Sequence, residues 1–368
     1  MQKRINQESI ASIDPLTDPR WPAFLEHHPD ASVFHTRQWM DAIRRTYGFE
    51  PVVFTTANSG DLTDGVAFCR ISSWLTGKRL VSMPFSDHCQ PLTQDDELKK
   101  ILEPLQSQRK SNQEKYIELR PVKECGLGTD ASGFAEKASF SFQRIDLRPE
   151  LKAVYSGFHD SCIRRKIKRA ERESLTYEAG RSEELLAKFR HLLMLTRRRH
   201  KLPPQPAAWF RNIVDCLGEM VTIHVASQGD TPVASILTLK HKRTLVYKYG
   251  CSDGQFSNLG GTPMLFWKAI QQAKAEGIEQ FDLGRSDLDE PGLIAFKEHL
   301  GAVSTKLTYY RNPQPAAKKE VQPTSVTDSV EPSGGLAKMP SRWAREALVR
   351  LPDSLLAGVG EVLYRHIG

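Results

Sequence analysis

Long apolar runs, paired cysteines and nucleophile motifs are all missing from this 368-residue sequence. No stretch approaches the about 20 apolar residues that a membrane-spanning helix requires. The opening MQKRINQESIASIDP has no apolar centre of the kind a signal peptide needs, so a cytoplasmic chain is expected. The six cysteines (Cys69, Cys89, Cys125, Cys162, Cys216, Cys251) include no CxxC pair and no histidine at metal-ligand spacing. Reduced thiols are therefore expected, and a structural zinc or other metal is not. GxSxG, P-loop, GxGxxG and HExxH are absent, as is any Cys/His signature of a covalent nucleophile. If the chain is an enzyme, direct transfer between two bound substrates is more economical than a covalent enzyme intermediate.

What is present is a soluble composition, 39% hydrophobic and 26% charged, in a chain long enough for two domains. The net charge of +7 is local. Residues 161–201 hold 13 Lys/Arg against 5 Glu, a balance of +8, so the rest of the chain sums to −1. That concentration predicts a particular anionic partner rather than a general affinity for polyanions, and no DNA.

Periodicity predicts helices at Trp21–Glu26, Thr36–Tyr47 and Asp95–Gln108 among short strands (51–56, 65–72, 78–85, YIELRPV and 140–147), an α/β pattern over 1–149. A second α/β domain is expected over 150–312. Its helices are Asp160–Ser174 and Glu183–His200. Three strands within 220–253 follow, then the loop GQFSNLGG, a helix Thr262–Ala275 and the strand EQFDLG. Residues 313–340, rich in Pro, Ser, Thr and Gly, read as a disordered linker. Residues 341–368 read as an amphipathic helical tail with Leu355, Leu356, Val359, Leu363 and Ile367 in one stripe.

Four features could carry chemistry. The Gly260–Gly261 pair precedes a helix with Thr262 as expected N-cap and Pro263 at its first position, an arrangement that exposes backbone N–H groups to an anion. A tight turn needing two glycines is the plain alternative. The helix 163–172 has six cations against Glu171 alone. A solvated face explains that as readily as a phosphorylated donor, a tRNA arm or anionic lipid headgroups do. Asp87 and His88 end a strand in SMPFSDHCQPL, where His88 suits a general base and an ordinary polar turn is the simpler reading. Lastly, Lys297 falls inside the apolar stripe of Leu293, Phe296 and Leu300 in FDLGRSDLDEPGLIAFKEHLGA. A snorkelling lysine is its bland explanation.

Taken jointly, FHTRQWMDAI (34–43), RLVSMPFSDHCQPL (79–92), RRKIKRAERESL (164–175), the segment 258–286, GLIAFKEHLGA (292–302) and LYRHIG (363–368) resemble the FemAB/FemX-like group. The nearest kinship is with acetyltransferase-like members linked to cell-envelope and exopolysaccharide biosynthesis. The resemblance implies two tandem GNAT-like α/β domains with mixed sheets. It implies acyl or aminoacyl transfer from acyl-CoA (acetyl-CoA) or aminoacyl-tRNA to an amine of an envelope or glycan precursor, in a cleft between domains. The adjacent Phe296–Lys297 matches a pair at the catalytic centre of the bridge-forming relatives. Arg285 and Ser286 (with Gly284), and Ser86, Asp87 and His88, fall on motif positions. Lys297 could stabilise the tetrahedral oxyanion or hold donor phosphates. His88, Asp287 or the acceptor itself could supply the base. Asn258, Gly260, Gly261, Thr262, Arg164, Arg165 and Lys168 are the expected donor-binding set, with Ser286, Asp287 and Ser86 toward substrate. The chain departs from the bridge-forming enzymes in lacking the long helical hairpin some use for tRNA, which counts against aminoacyl-tRNA as donor. A non-catalytic envelope-assembly protein on a degenerate GNAT scaffold stays open as a rival, with peripheral membrane contact through the tail.

Overall fold

The computed structural model describes residues 10–128, 132–313 and 351–367. By packing, the chain forms two units. One runs to Ser139 and is rejoined from Thr308; the other comprises Phe140–Leu307 and the C-terminal helix.

Unit one contains β1 (Ala11–Ile13), α1 (Arg20–His27), α2 (Arg37–Tyr47), β2 (Glu50–Thr55), β3 (Val66–Ile71), β4 (Lys78–Val81), α3 (Asp95–Gln108), β5 (Glu114–Leu119) and the first part of β6 (Ala135–Asp146). Strands β1 to β4 pair antiparallel in sequence order, and β5 lies parallel to β4 after the α3 crossover. Helix α2 begins where Thr36 Oγ1 accepts from Trp39 N–H and ends at Gly48, in the left-handed region at φ 70°. Its Trp39, Met40, Ile43 and Tyr47 are buried. Alternate residues of β2, β3 and β5 (Val52, Phe54, Phe68, Ile117) meet Ile101 and Leu105 of α3 in a single core.

Unit two contains the rest of β6, α4 (Leu151–Ser156), α5 (Arg165–Arg172), β7 (Thr176–Gly180), α6 (Glu183–Arg199), α7 (Ala207–Leu217), β8 (Val221–Gln228), β9 (Thr231–His241), β10 (Thr244–Ser252), α8 (Gly261–Ala275), β11 (Gln280–Asp287), α9 (Pro291–His299), the first part of β12 (Val303–Asn312) and α10 (Asp353–Ile367). Here β7 to β10 form the antiparallel run. Strand β11 lies parallel to β10 after α8, and β6 pairs antiparallel with β11. The end of β12 plays the corresponding part in unit one, pairing antiparallel with β5. The two units thus repeat one plan, four antiparallel strands, a helix, a parallel strand and an antiparallel closing strand. Each closing strand comes from the sequence of the other half. The division between the units falls inside β6 and β12.

The described part of the tail is helical and packs on its own unit. Leu356 and Tyr364 are buried. A Cβ on Gly360 would lie 2.0 Å from the Pro204 carbonyl oxygen, so only glycine allows this approach. Arg198 holds the helix start by donating to the Leu351 carbonyl (2.8 Å) and to Asp353. The expected linker, apart from Pro313, and residues 341–350 lie outside the described residues. Among the described residues, no helix is long and apolar enough to cross a membrane.

In unit one a buried carboxylate organises the loop after β4. Glu118 is 1% exposed and accepts from Arg120 (3.0 Å), Lys137 (2.7 Å) and Arg311 (2.6 Å), which sit in β6, β12 and the turn after β5. Burial alone would raise its pKa, but the surrounding cations outweigh that and hold it well below the usual carboxylate range. Burial also pushes Lys137 down to about 8. Arg120 in turn donates to the carbonyls of Met83 and Ser86, both at 3.2 Å. Those bonds steady a loop in which two non-glycine residues, Met83 (φ 31°) and Phe85 (φ 60°), have positive φ.

Replacing Glu118 with glutamine is expected to destabilise the protein by about 1–3 kcal/mol at neutral pH, because two half-buried arginines and the more exposed Lys137 lose the buried counter-charge they share. The folded pKa lies below the unfolded value of about 4.3, so the stabilisation is complete above that pH and fades as pH falls through the folded value. Thermal melts should show the gap between wild type and Glu118→Gln closing in acid; a gap independent of pH contradicts this account.

Candidate active site

A cleft of about 890 Å³ opens in unit two beside β10. Strands β10 and β11 are paired only over Thr244–Val246 and Gln280–Asp282. Beyond that point each strand is bulged, β10 between Tyr247 and Tyr249 and β11 between Asp282 and Arg285. Bulges terminate regular pairing and re-aim side chains. The parallel ladder stops there, and the cleft lies against the continuing edge of β10, at Tyr247 and Gly250–Ser252.

Its far wall is cationic. Arg165, Arg169 and Arg172 recur at i, i+4 and i+7 on one face of α5 and line the cleft with Lys166 and Arg199. Arg199 is braced by donating to the Ser252 carbonyl at 3.1 Å. Across from them begins α8. The cap lies two residues earlier than expected, with Gly260 in place of Thr262 as N-cap at φ 83° and Gly261 as the first helical residue. Thr262 and Pro263 therefore sit inside the first turn, where a missing N–H costs no helical bond. The reason is steric. A Cβ on Gly260 would lie 2.1 Å from the Lys166 carbonyl oxygen, so a side chain there would push α8 off α5. The first-turn amides and the helix dipole consequently meet the α5 cations at one cavity, an electrostatic setting for an anion.

Of the expected donor set, Asn258, Gly261, Thr262 and Arg165 line the cleft, and Gly260 forms the α5–α8 contact behind it. Arg164 and Lys168 do not line it; Arg164 pairs with Asp160 at 3.3 Å. Lys166, Arg169, Arg172 and Arg199 complete the wall instead, and the i, i+4, i+7 recurrence in α5 was the signal for two of them. Cys251 also faces the cleft, but burial pushes its thiol far up, out of the range of a useful thiolate.

Phe296 reaches the cleft wall and packs edge-on against Phe266, ring centroids 5.7 Å apart. Lys297, its neighbour, does not line the cleft. Only 3% exposed, it directs Nζ at the bulge of β11, donating to the carbonyls of Arg285 (3.0 Å) and Gly284 (3.4 Å) and standing 3.3 Å from the Gln143 carboxamide. A charge inside the apolar stripe is thereby explained. The bulge turns backbone carbonyls out of the ladder, and a buried carbonyl needs a donor. Gln143 can meet this ammonium with its oxygen, which also accepts from Ser286 Oγ at 3.1 Å. Rotated by half a turn, its nitrogen instead donates to the Gly284 carbonyl and to Ser286 Oγ. A protonated Lys297 favours the first orientation. Ser286 is fully buried in this network, while Arg285 lies over the Phe140 ring at 3.9 Å and pairs with Asp287 at 3.6 Å.

Ser86, Asp87 and His88 belong to unit one. All three are buried. Ser86 Oγ donates to the Met83 carbonyl at 2.5 Å, the Asp87 carbonyl accepts from the Tyr309 hydroxyl, and His88 meets Phe34 edge-on at 5.3 Å. Glu118, Arg120, Lys137 and Arg311 behind this loop were not singled out in the sequence. Their signal was the alternation in YIELR, which puts Glu118 and Arg120 on one face of a strand. Metal ligation was not expected either, yet His159, Cys162 and His299 bring one ligand atom each within 4.8 Å of the others.

Residues 159–297 match the model of an acetyltransferase (GNAT) domain. Comparison with curated protein sequences gives no significant match. In structure the chain is similar to FemX, with TM-score 0.64 and 15% identity over 82% of this chain and 96% of that one. It is also similar to the C-terminal domain of a provisionally named lysylphosphatidylglycerol synthetase from Agrobacterium fabrum (TM-score 0.56, 13% identity, 81% and 91% covered). A third likeness is to a tandem GNAT protein from the clavulanic acid biosynthesis pathway (0.52, 10%, 84% and 99%). The fold is therefore α/β of the tandem GNAT kind with a helical C-terminal segment. The family match places a GNAT acetyltransferase domain at residues 159–297, and the likeness to FemX is one of fold.

Replacing Lys297 with methionine should lower stability by roughly 1–3 kcal/mol, since the β11 carbonyls lose their donor, with transfer activity falling alongside. Thermal melts and turnover measured together check this. Lost turnover with an unchanged melt would instead put the ammonium at the reacting centre.

Proposed function

We propose that this protein transfers an acyl or aminoacyl group from a CoA-type donor, held in the unit-two cleft, to an amine of a cell-envelope or polysaccharide precursor. The observation that carries the reading is the meeting of five cationic side chains and the α8 N-terminus at one cavity of about 890 Å³. A donor with a pyrophosphate handle and a long apolar arm suits both its charge and its Val233, Ala234, Phe256 and Phe296 surface.

In the reaction the acceptor amine attacks the donor carbonyl carbon, the tetrahedral oxyanion collapses, and the thiolate (or, for an aminoacyl ester, the ribose oxygen) leaves as the amine gives up a proton. Cys251 is poorly suited to an acyl-enzyme step because its thiol is held protonated, which favours direct attack. Phe296 contributes a wall against the donor. Lys297, Gln143 and Ser286 position β11 beside it. Arg285 and Asp287 on β11 are the residues we assign to the acceptor side. The likeness to a lysylphosphatidylglycerol synthetase domain favours an envelope acceptor, and the GNAT domain favours acyl-CoA over aminoacyl-tRNA as donor.

Calorimetric titration with acetyl-CoA and longer acyl-CoAs tests the proposal. Saturable 1:1 binding is expected, and Arg165→Ala/Arg169→Ala should weaken it about tenfold or more, the equivalent of one or two charge-assisted hydrogen bonds. No acyl-CoA binding, with tight and steeply salt-dependent binding of aminoacyl-tRNA, transfers the reading to the tRNA donor. Binding of neither, with intact glycan or lipid binding, leaves the non-catalytic scaffold.

A further inference from the structure

The turn that leads into α5 is a π-helical one, Asp160–Arg164, and His159 caps it by accepting the Cys162 N–H on Nδ1 at 3.3 Å. Such widened turns concentrate at functional sites. The last residue of α9, His299, lies directly against it. Its carbonyl accepts the His159 N–H at 2.8 Å, and the two imidazole rings stand 4.4 Å apart at 49°. Cys162 is on the same side, so one ligand atom from each of the three residues falls within 4.8 Å of the others. His159 is exposed and the other two are half-buried, which leaves the group open to solvent ions. Neither donor binding nor acyl transfer employs any of them.

Two imidazoles and a thiol form a borderline-soft set, which selects zinc and its neighbours and discriminates against magnesium and calcium. We propose that His159, Cys162 and His299 bind one zinc-class divalent ion, with water in the remaining position. Tetrahedral zinc with bonds of about 2.0–2.3 Å holds its ligand atoms roughly 3.4–3.6 Å apart. The three side chains therefore need to close by about an ångström, which rotation of partly exposed rings supplies. The hydrogen bonds now made by His159 Nδ1, 3.3 Å to Cys162 N–H and 3.4 Å to Ser161 Oγ, are long and easily given up. Binding releases the thiol proton of Cys162 as the metal–thiolate bond forms. Bound there, the ion ties α9, which carries Phe296, to the turn before α5, which carries Arg165 and Arg169. The pattern hides in sequence because His159 and Cys162 are three apart but their partner lies on α9, far along the chain.

The full-length protein, stripped with chelator, is titrated with Co²⁺ in the absorbance spectrometer and then challenged with Zn²⁺ or Mg²⁺. One Co²⁺ per chain, with a thiolate-to-cobalt charge-transfer band that Zn²⁺ abolishes and Mg²⁺ does not, supports the site. Cys162→Ser should lose the band. His159→Gln and His299→Gln should each weaken Zn²⁺ binding at least tenfold. Cys216→Ser should change neither, and circular dichroism checks that every variant is folded. A folded wild type with no such band, a band that survives Cys162→Ser, or a Zn²⁺ affinity indifferent to both His159→Gln and His299→Gln overturns the proposal.

Discussion

The approach of α8 to α5 at Gly260 is the contact on which the rest of unit two depends. With the Lys166 carbonyl oxygen only 2.1 Å from where a Cβ would stand, no other residue lets the two helices meet. Left-handed backbone at φ 83° adds a second reason, since a side chain there would be strained whatever the space. From that contact follow the nearness of the α5 arginines to the first turn of α8 and the cavity they enclose with β10. One residue without a side chain thus sets up an electrostatic field that several charged residues then populate.

The splayed end of the sheet imposes a second requirement. Once β10 and β11 bulge and their parallel ladder stops, the Gly284 and Arg285 carbonyls of β11 accept from the Lys297 ammonium. Phe296 and Lys297 divide the work of α9 between its two sides. The ring borders the cleft and the ammonium braces the strand behind it. A lysine in an apolar stripe is here the consequence of a broken ladder, not an exception to burial rules.

Much of this was legible beforehand, and what was not has physical causes. Helix periodicity located α2, α6 and α8, and the starts of α2 and α8 carry Thr36 and the glycine pair. The glycine pair also pointed to the cleft beside α8, since backbone conformation there is dictated locally. The exchange of β6 and β12 between units was invisible, because a strand crossing a boundary carries no local punctuation. The aim of Lys297 was invisible too, as it depends on a bulge in another element. Arg164 and Lys168 were picked from a charge run that has no direction until the helix is docked; Arg169 and Arg172 became the cleft residues through that docking. Glu118 announced itself only as an alternation inside a short strand, and its three cations come from three separate segments.

The central claim is that the α5–α8 junction receives the phosphates of an acyl donor. Hydrogen–deuterium exchange with and without acetyl-CoA reads it directly. Slowed exchange is expected in the peptides covering 254–266 and 163–173, with little change over β7 and α7. Saturable acetyl-CoA binding that leaves 254–266 unprotected, while protecting some other segment, would contradict it.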